Sequence, residues 1–253
     1  MRESSQALAL LRQRISSMEA ARPREASPIL VSLGHAGIDA ALEGGLACGR
    51  LHEIFAEQAD DASSAAGFAA MLMRRLGPGA PHVWLRLDAA QKTGGSLHAA
   101  GLAELGGDPG NLVLGILPDS LSLLRIAAEM LRCGDIGTVV AELWRTPREL
   151  DLTATRRLAV AAEASGGTAL LLRVDAQPMP SAADTRWSIR SSAATPLAAN
   201  APGLATLDVE LLRRRGRGVG AQNHWRVVWD HEYAIFHDIA STTHDAGENR
   251  AAG

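Results

Sequence analysis

From Leu51 to Val174, short apolar runs alternate with longer stretches in which apolar residues recur at helical spacing. The first pattern is typical of buried β-strands and the second of amphipathic α-helices. The predicted strands are Leu51–Phe55, His82–Leu87, Leu112–Ile116, Ile136–Leu143 and Thr168–Val174. The predicted helices are Ser63–Leu76, Ser96–Leu105, Ser120–Arg132 and Leu152–Ser165, with Asp119 and Asp151 as N-caps. This alternation predicts an α/β fold with a mostly parallel central sheet and helices on both faces.

The pattern changes after Val174. The segment Asp175–Asp184 is rich in Pro, Ser and Ala, which predicts a loop. Three strand-like runs follow, and the polar loops between them predict antiparallel edge strands at the C-terminal end of the fold. These runs are Thr185–Ser192, Ala205–Arg213 and His224–Asp230, and RRRGRGVGAQN is the predicted hairpin connection between the last two.

Residues 3–20 place Leu8, Leu11 and Ile15 on one stripe at helical spacing, and Pro23 follows. This stripe packs either on its own domain or on a neighbouring subunit or partner, and both interpretations stay open. The predicted organisation is an N-terminal helix and linker (residues 1–28), a core domain (residues 29–239) and a polar tail (residues 240–253). We expect the tail to be disordered.

Composition narrows the class of protein. With 253 residues, of which 47% are hydrophobic, the chain is long enough for one α/β domain with a sizeable core. A formal net charge of −3 excludes a globally basic nucleic-acid coat. Cys48 and Cys133 lack C-x-x-C spacing, which predicts reduced thiols, and no apolar run is long enough to span a membrane. We therefore expect a soluble, cytoplasmic protein.

The stretch Gly45–Leu72 predicts a tight turn, a strand, a loop of small residues and a helix. Phosphate-binding proteins hold an anion at such a loop, because backbone N–H groups and the positive end of the helix dipole converge there. A working phosphate loop reads G-x-x-x-x-G-K-[ST]. Here the loop AEQADDASS has no glycine and no lysine, and it carries Glu57, Asp60 and Asp61. Lys92 is the only lysine of the chain.

These segments resemble the RecA-like recombinase fold and, within it, the ImuA family of bacterial mutagenesis proteins. GIDAALEGGLACGRLHEIF (Gly37–Phe55) is similar to the segment that leads into the recombinase phosphate loop. LPDSLSLLRIAAEMLRCGDIGTVVAEL (Leu117–Leu143) is similar to the helix and strand that end in the metal-supporting aspartate. The late TRW…VELLRRRGRG…WRVVWD pattern adds to the ImuA resemblance, which extends over about residues 3–230.

The resemblance also shows where this chain departs from active recombinases. It places the phosphate-loop lysine and its following hydroxyl near Ser63 and Ser64, where no lysine is available. It places the water-activating glutamate at Ala90 and the metal-supporting aspartate at Glu142. Phosphoryl transfer relies on a lysine, a metal and a water-orienting group. The resemblance therefore implies a pseudo-ATPase that has no catalytic residues and uses neither ATP nor Mg²⁺ as a cofactor.

The function implied by the resemblance is that of a non-catalytic adaptor in SOS-induced mutagenesis and translesion DNA synthesis. The implied partners are the recombinase RecA, an inactive ImuB-type Y-family polymerase homologue and, through it, an error-prone C-family polymerase. Leu8, Leu11 and Ile15 are the predicted partner contacts, because recombinases assemble by docking a terminal segment on the next core. The alternatives are an ATP- or DNA-binding recombinase-like module and an SOS-induced cell-division inhibitor. A homo-oligomer is left open.

Three further groups of residues have both a structural and a functional interpretation. Arg213, Arg214, Arg215 and Arg217 are either a solvated hairpin tip or a contact for DNA or a partner, because guanidinium groups recognise phosphate and carboxylate. His52 lies in an apolar run and is interpreted as a core histidine; the histidines show no zinc-site spacing. The tryptophans of the late strands, Trp187, Trp225 and Trp229, are expected to cover the sheet.

Overall fold

The computed structural model describes residues 28–194 and 203–239. The predicted N-terminal helix with Leu8, Leu11 and Ile15 lies outside these residues, and so does the tail at 240–253. The predicted domain boundaries therefore stay predictions.

The described residues form strands β1 to β11 and helices α1 to α6 in chain order. The strands are β1 Leu30–Val31, β2 Leu46–Ala47, β3 Leu51–Ala56, β4 His82–Leu87, β5 Leu112–Leu117, β6 Thr138–Trp144, β7 Thr168–Val174, β8 Thr185–Ser191, β9 Thr206–Arg214, β10 His224–Asp230 and β11 Ile235–Asp238. The helices are α1 Ala36–Ala41, α2 Ala62–Leu76, α3 Asp88–Gly94, α4 Ala99–Glu104, α5 Ser120–Arg132 and α6 Leu152–Ser165, with short 3-10 turns at Ala59–Asp61 and Pro109–Asn111.

Nine strands form the central sheet in the order β11-β10-β9-β8-β3-β7-β6-β4-β5. Strands β5, β4, β6, β7, β3 and β8 are parallel to one another. Strands β9, β10 and β11 continue the sheet in antiparallel fashion. The prediction of a mostly parallel sheet with antiparallel C-terminal edge strands is confirmed.

The prediction is wrong for one partner of β8. This strand was expected in the antiparallel extension, yet it pairs in parallel with β3 and antiparallel only with β9. The reason is the segment 175–184, which leaves the end of β7 and returns the chain to the end of the sheet where β3 begins. The antiparallel extension therefore starts at β9.

Helices cover both faces of the sheet. Helix α2 packs on one face, where Phe68 and Leu72 meet strand residues such as Leu170. Helices α5 and α6 pack on the other face, where Leu123 and Leu158 belong to a second apolar cluster. The parallel strands are therefore buried on both sides, which explains their nearly continuous apolar sequences.

The helix boundaries follow local signals. Asp119 and Asp151 cap α5 and α6, because their carboxylates accept hydrogen bonds from Ser122 N and Ala154 N at 2.8 and 2.7 Å. The helix predicted at Ser96–Leu105 is α4, which begins later, at Ala99. Helix α3 was not predicted. Only Ala90 of α3 is buried, so α3 has no apolar periodicity that a sequence pattern would reveal.

The late strands and α2 share an aromatic cluster. Trp187, Trp225 and Trp229 are buried, and Phe236 lies between Phe68 and Trp229 with ring centroids 5.5 and 4.8 Å away. The tryptophans thus cover the sheet face as expected.

His52 is a core histidine whose ring nitrogens hydrogen-bond Thr185 Oγ1 and Ala47 O at 2.8 Å each. Burial lowers the pKa of His52 and keeps the ring neutral. None of the helices in the described part of the chain is both long and apolar enough to cross a bilayer.

Candidate nucleotide site

The loop after β3 is folded into a tight turn instead of an open cradle. Its 3-10 turn Ala59–Asp61 leads directly into α2. The N–H groups of Asp61 and Ala62 donate within this turn, to Gln58 O and Ala59 O. A phosphate cradle needs several free backbone N–H groups that point at the anion. The N–H groups of Asp61 and Ala62, which lie at the start of α2, already donate hydrogen bonds inside the turn and cannot bind an anion as well.

Asp61 fastens this loop to β8. It is the N-cap residue of α2, but its carboxylate accepts hydrogen bonds from Ser191 N at 2.8 Å and Ser191 Oγ at 3.0 Å. The residue is buried, whereas Asp60 beside it is exposed. A ligand that opened this loop would have to break the Asp61–Ser191 contacts first.

The start of α2 carries negative charge. Asp60 and Asp61 lie in the turn before the helix, and Glu57 accepts a hydrogen bond from Ser188 Oγ at 3.4 Å. Carboxylates are stabilised at the positive end of a helix dipole, which is the position that an anionic ligand would take. The hydroxyls of Ser63 and Ser64 follow in the first turn of α2. A nucleotide phosphate would meet these carboxylates with no lysine to offset them.

The position that the resemblance assigns to the recombinase glutamate is also closed. Strand β4 ends at Leu87, α3 begins at Asp88, and Ala90 is buried inside the fold. Lys92, the only lysine, pairs with Asp88 at 2.5 Å on the exposed side of α3. Ala90 has no group that can orient water.

Glu142 at the end of β6 is held by three donors. Its Oε1 accepts hydrogen bonds from Arg86 and from Trp144 Nε1, and its Oε2 accepts one from Trp84 Nε1, all at 2.9 Å. Arg86 also donates to Gly95 O at 2.8 Å, which ties the pair to the segment after α3. Both side chains of the ion pair are buried. Binding a metal would require Glu142 to give up contacts that are costly to leave unmade.

A cavity of about 310 Å³ lies between α2, α4 and the ends of β4 and β6. It brings Ser63 and Glu142 together, but Glu57, Asp60, Asp61, Ser64 and Ala90 do not line it. Its charged wall is the Arg86–Glu142 pair, which is neutral as a unit, and Trp144 lies beside it. The cavity therefore offers space without a net charge that would select a triphosphate.

A second buried network, which was not predicted, lies on the α5–α6 face of the sheet. Glu53 Oε2 accepts hydrogen bonds from Arg186 Nε at 2.6 Å and Ser181 Oγ at 2.7 Å. Arg173 is 3.9 Å from Glu53 Oε1 and donates to Thr146 Oγ1 at 3.0 Å. The sequence signal was available: single charged residues interrupt the apolar runs LHEIF and LLLRV, and buried charges need partners.

Arg173 is the least well paired residue of this network. Its side chain is fully buried, and its Nε and Nη1 atoms have no hydrogen-bond partner among the described residues. Burial lowers the pKa of the Arg173 guanidinium, Glu53 opposes this effect, and Arg186 adds to the lowering. The group nevertheless stays charged, because guanidinium groups are not deprotonated in proteins. Two guanidinium groups thus depend on one carboxylate.

The late arginine cluster is divided by the fold. Arg214 and Arg217 both pair with Glu43, so they fasten the end of β9 to the segment after α1. Arg213 and Arg215 are exposed. The hairpin connection between β9 and β10 is confirmed, and only part of the cluster is available for an external contact. Within residues 28–194 and 203–239, no group of His, Cys, Asp and Glu side chains is arranged to hold a metal.

Comparison with known proteins shows a likeness in structure. No protein-family model matches the chain, and no curated protein matches it. Among solved structures it is similar to the crystal structure of the RadB recombinase, with 13% identity and a TM-score of 0.54. The likeness covers 83% of this chain and 100% of that one. The chain therefore has a RecA-like recombinase fold.

Proposed function

We propose that this RecA-like chain is a non-catalytic adaptor of the ImuA type in SOS-induced mutagenesis and translesion DNA synthesis. In this role it binds a recombinase and an ImuB-type polymerase homologue, and it reaches an error-prone C-family polymerase indirectly. ATP and Mg²⁺ are not its cofactors, and the chain is a pseudo-ATPase.

The observation that carries the proposal is the state of Glu142. In place of a short aspartate that supports a metal, the chain has a longer carboxylate that accepts hydrogen bonds from Arg86, Trp84 and Trp144. The group therefore serves the core instead of a ligand. The closed acidic loop before α2 and the buried Ala90 support the same conclusion from two other positions.

A surface for binding a recombinase is offered by the edge strand β5. Among the described residues this strand pairs only with β4, and its sequence LVLGIL contains no charged residue. Val113 is 60% exposed, and Leu114 and Ile116 are 41% and 39% exposed. Sheet edges of soluble proteins usually carry charges, prolines or bulges that prevent pairing. An uncharged apolar edge instead suits the addition of a strand from a partner.

Placing lysines on this edge is expected to weaken recombinase binding. The double substitution Val113→Lys and Ile116→Lys should lower the affinity at least about tenfold, which corresponds to about 1.4 kcal/mol. The reason is that each lysine removes an apolar contact and places a charge where a partner strand would lie. The measurement is biolayer interferometry with recombinase assembled on single-stranded DNA.

Tyr233→Lys is the matched control, because Tyr233 is 71% exposed and lies in the turn before β11, at the opposite edge of the sheet. It should leave the affinity unchanged. Equal binding by the β5 variant and the wild type would exclude this edge as the contact. Absence of binding by the wild-type chain would contradict the recombinase half of the adaptor role.

Other predicted contacts remain part of the proposal. Leu8, Leu11 and Ile15 are the predicted N-terminal contact with a partner. Arg213 and Arg215 are exposed and suit a contact with DNA or an acidic partner.

A further inference from the structure

The outer surface of helices α5 and α6 contains a groove with an apolar floor and basic walls. One half is a cavity of about 260 Å³ that runs along α5 beside the first turns of α6, and the other is a cavity of about 410 Å³ along α6 that reaches the end of α5. Arg132 and Arg157 line both halves, so the groove is continuous. Its floor is formed by the apolar side chains Leu121, Leu124, Ala128, Ala154, Val160, Ala161 and Ala164.

The groove exposes apolar side chains at both ends. Leu121 at the start of α5 is 41% exposed, and Val160 in the middle of α6 is 65% exposed. The floor between them is made largely of alanines, which leave room for another chain to approach. Helix α6 has 14 residues and is therefore about 21 Å long, which matches a partner helix of three to four turns.

The walls concentrate positive charge on a chain whose net charge is −3. Arg125, Arg156 and Arg157 form no salt bridge within residues 28–194 and 203–239, whereas Arg132 pairs with Glu129 at 2.6 Å. The other carboxylate on the walls, Glu149, accepts a hydrogen bond from Ser120 Oγ. The charge of these three arginines is thus available to a partner, in a region that also exposes apolar surface.

We propose that this groove binds an acidic amphipathic helix of a partner protein. Leucine-type side chains at helical spacing would contact Leu121, Ala154 and Val160, while flanking Asp and Glu side chains would pair with Arg125, Arg156 and Arg157. Helices that lie in grooves use this arrangement of apolar anchors and charged flanks. The surface is distinct from the β5 edge, so the inference stands independently of the recombinase contact.

The basic walls and the apolar floor favour an acidic amphipathic helix over two other ligands, the chain's own N-terminal segment and nucleic acid. The chain's own N-terminal segment (residues 3–20) has Arg12 and Arg14 off its apolar stripe beside Glu3 and Glu19, so it brings no net negative charge to the basic walls. Nucleic acid would use the arginines but has no side chains for an apolar floor. An acidic amphipathic helix satisfies both parts of the groove.

The test uses a synthetic helical peptide of about five turns with leucines on one face and glutamates on its flanks, labelled for fluorescence anisotropy. A second peptide has lysines in place of the glutamates, and a short DNA duplex is the third probe. Wild-type protein is expected to bind the glutamate peptide saturably, at least about tenfold more tightly than the lysine peptide. The affinity should also fall with increasing salt.

Two variants of the full chain locate the binding. Arg156→Glu with Arg157→Glu should weaken the glutamate peptide at least about tenfold, and Val160→Gln should weaken it about threefold or more. Arg156, Arg157 and Val160 are all exposed, so we expect both variants to keep the fold. Lys92→Glu with Arg226→Glu makes the same change of charge at two exposed side chains outside the groove and should leave binding unchanged.

Three results would overturn the proposal. They are no saturable binding of the glutamate peptide at millimolar protein, equal binding of both peptides, and equal loss of affinity in the Lys92/Arg226 control. Tighter binding of the DNA duplex that is lost in the Arg156/Arg157 variant would assign the groove to nucleic acid instead. A negative recombinase result with the β5 variant leaves these outcomes unaffected, because the two assays use different probes and variants.

Discussion

The substitution Glu53→Gln is expected to lower the free energy of unfolding by about 3–5 kcal/mol, the cost of removing one partner from a buried ion pair. Glu53 is the carboxylate that both Arg173 and Arg186 share, and its side chain is fully buried. Glutamine keeps the shape of the side chain but leaves both guanidinium groups without this counter-charge. Because domains are commonly stable by only about 5–15 kcal/mol, this is a large fraction of the total.

The matching substitution on the other side of the network is expected to cost less. Arg173→Met removes a guanidinium that already lacks two hydrogen-bond partners within the described residues, and it leaves the short Arg186–Glu53 contact in place. A buried charge replaced by an apolar side chain of similar volume is often tolerated. Arg173 also stacks 5.5 Å from the ring of Phe55, a contact that methionine retains in part.

Guanidinium unfolding followed by tryptophan fluorescence measures both effects. Glu57→Gln is the control, since Glu57 is exposed and directly follows the strand that carries Glu53, and its cost should stay within about 0.5 kcal/mol. A cost below about 1 kcal/mol for Glu53→Gln would show that the two arginines do not depend on this carboxylate. A larger cost for Arg173→Met than for Glu53→Gln would contradict the expected order of the two effects.

The second large effect is expected at Glu142. Glu142→Gln should lower the free energy of unfolding by about 3 kcal/mol or more, because Arg86 is left as an uncompensated buried charge. The amide also offers a single acceptor oxygen to donors that now use two carboxylate oxygens, so at least one of Arg86, Trp84 and Trp144 loses its hydrogen bond.

Glu129→Gln is the matched control for this prediction. The Arg132–Glu129 pair joins the same residue types at 2.6 Å, but both side chains are more than half exposed. Exposed pairs contribute about 0–1 kcal/mol, so the control should change stability little. If Glu142→Gln were as mild as Glu129→Gln, Glu142 would be free to serve a ligand, and the structural role assigned to it would be wrong.

The sequence was sufficient to predict the bounds of several helices and strands of the central sheet. Helices α5 and α6 have the predicted bounds, because each combines an apolar stripe with an aspartate cap. Strands β4, β7 and β10 also have the predicted bounds, because each is an apolar run between polar or small residues. The resemblance to the RecA-like recombinase fold agrees with the likeness to the RadB recombinase structure.

The missed elements lack the local signals by which a sequence pattern predicts a helix or a strand. Strands β1 and β2 have two residues each and pair only with one another among the described strands, so no periodicity exists in them. Helix α1 is capped by His35, whose Nδ1 accepts a hydrogen bond from Ile38 N at 3.2 Å, and histidine is an unusual cap. Strand β8 pairs in parallel with β3 because of the path of segment 175–184, which local sequence does not specify.

The contacts made by the residues of the candidate site could not be predicted from the sequence. From the sequence came Asp61 as a member of the acidic loop, and from the resemblance came the expectation that Ala90 and Glu142 stand at the positions of the recombinase glutamate and aspartate. It did not reveal that Asp61 holds Ser191 of β8, or that Glu142 is held by two indoles and a guanidinium. Three of these contacts join residues that are 56 to 130 positions apart, and only the assembled sheet brings such residues together.

The central claim is that the chain keeps a recombinase fold whose nucleotide site is occupied by its own side chains. A calorimetric titration with a non-hydrolysable ATP analogue and Mg²⁺ tests this claim most directly. We predict no saturable heat up to millimolar nucleotide, both for the wild-type chain and for Asp60→Ala. Saturable one-site binding to the wild-type chain, with affinity reduced by Asp60→Ala, would contradict the claim and would make this loop a working nucleotide site.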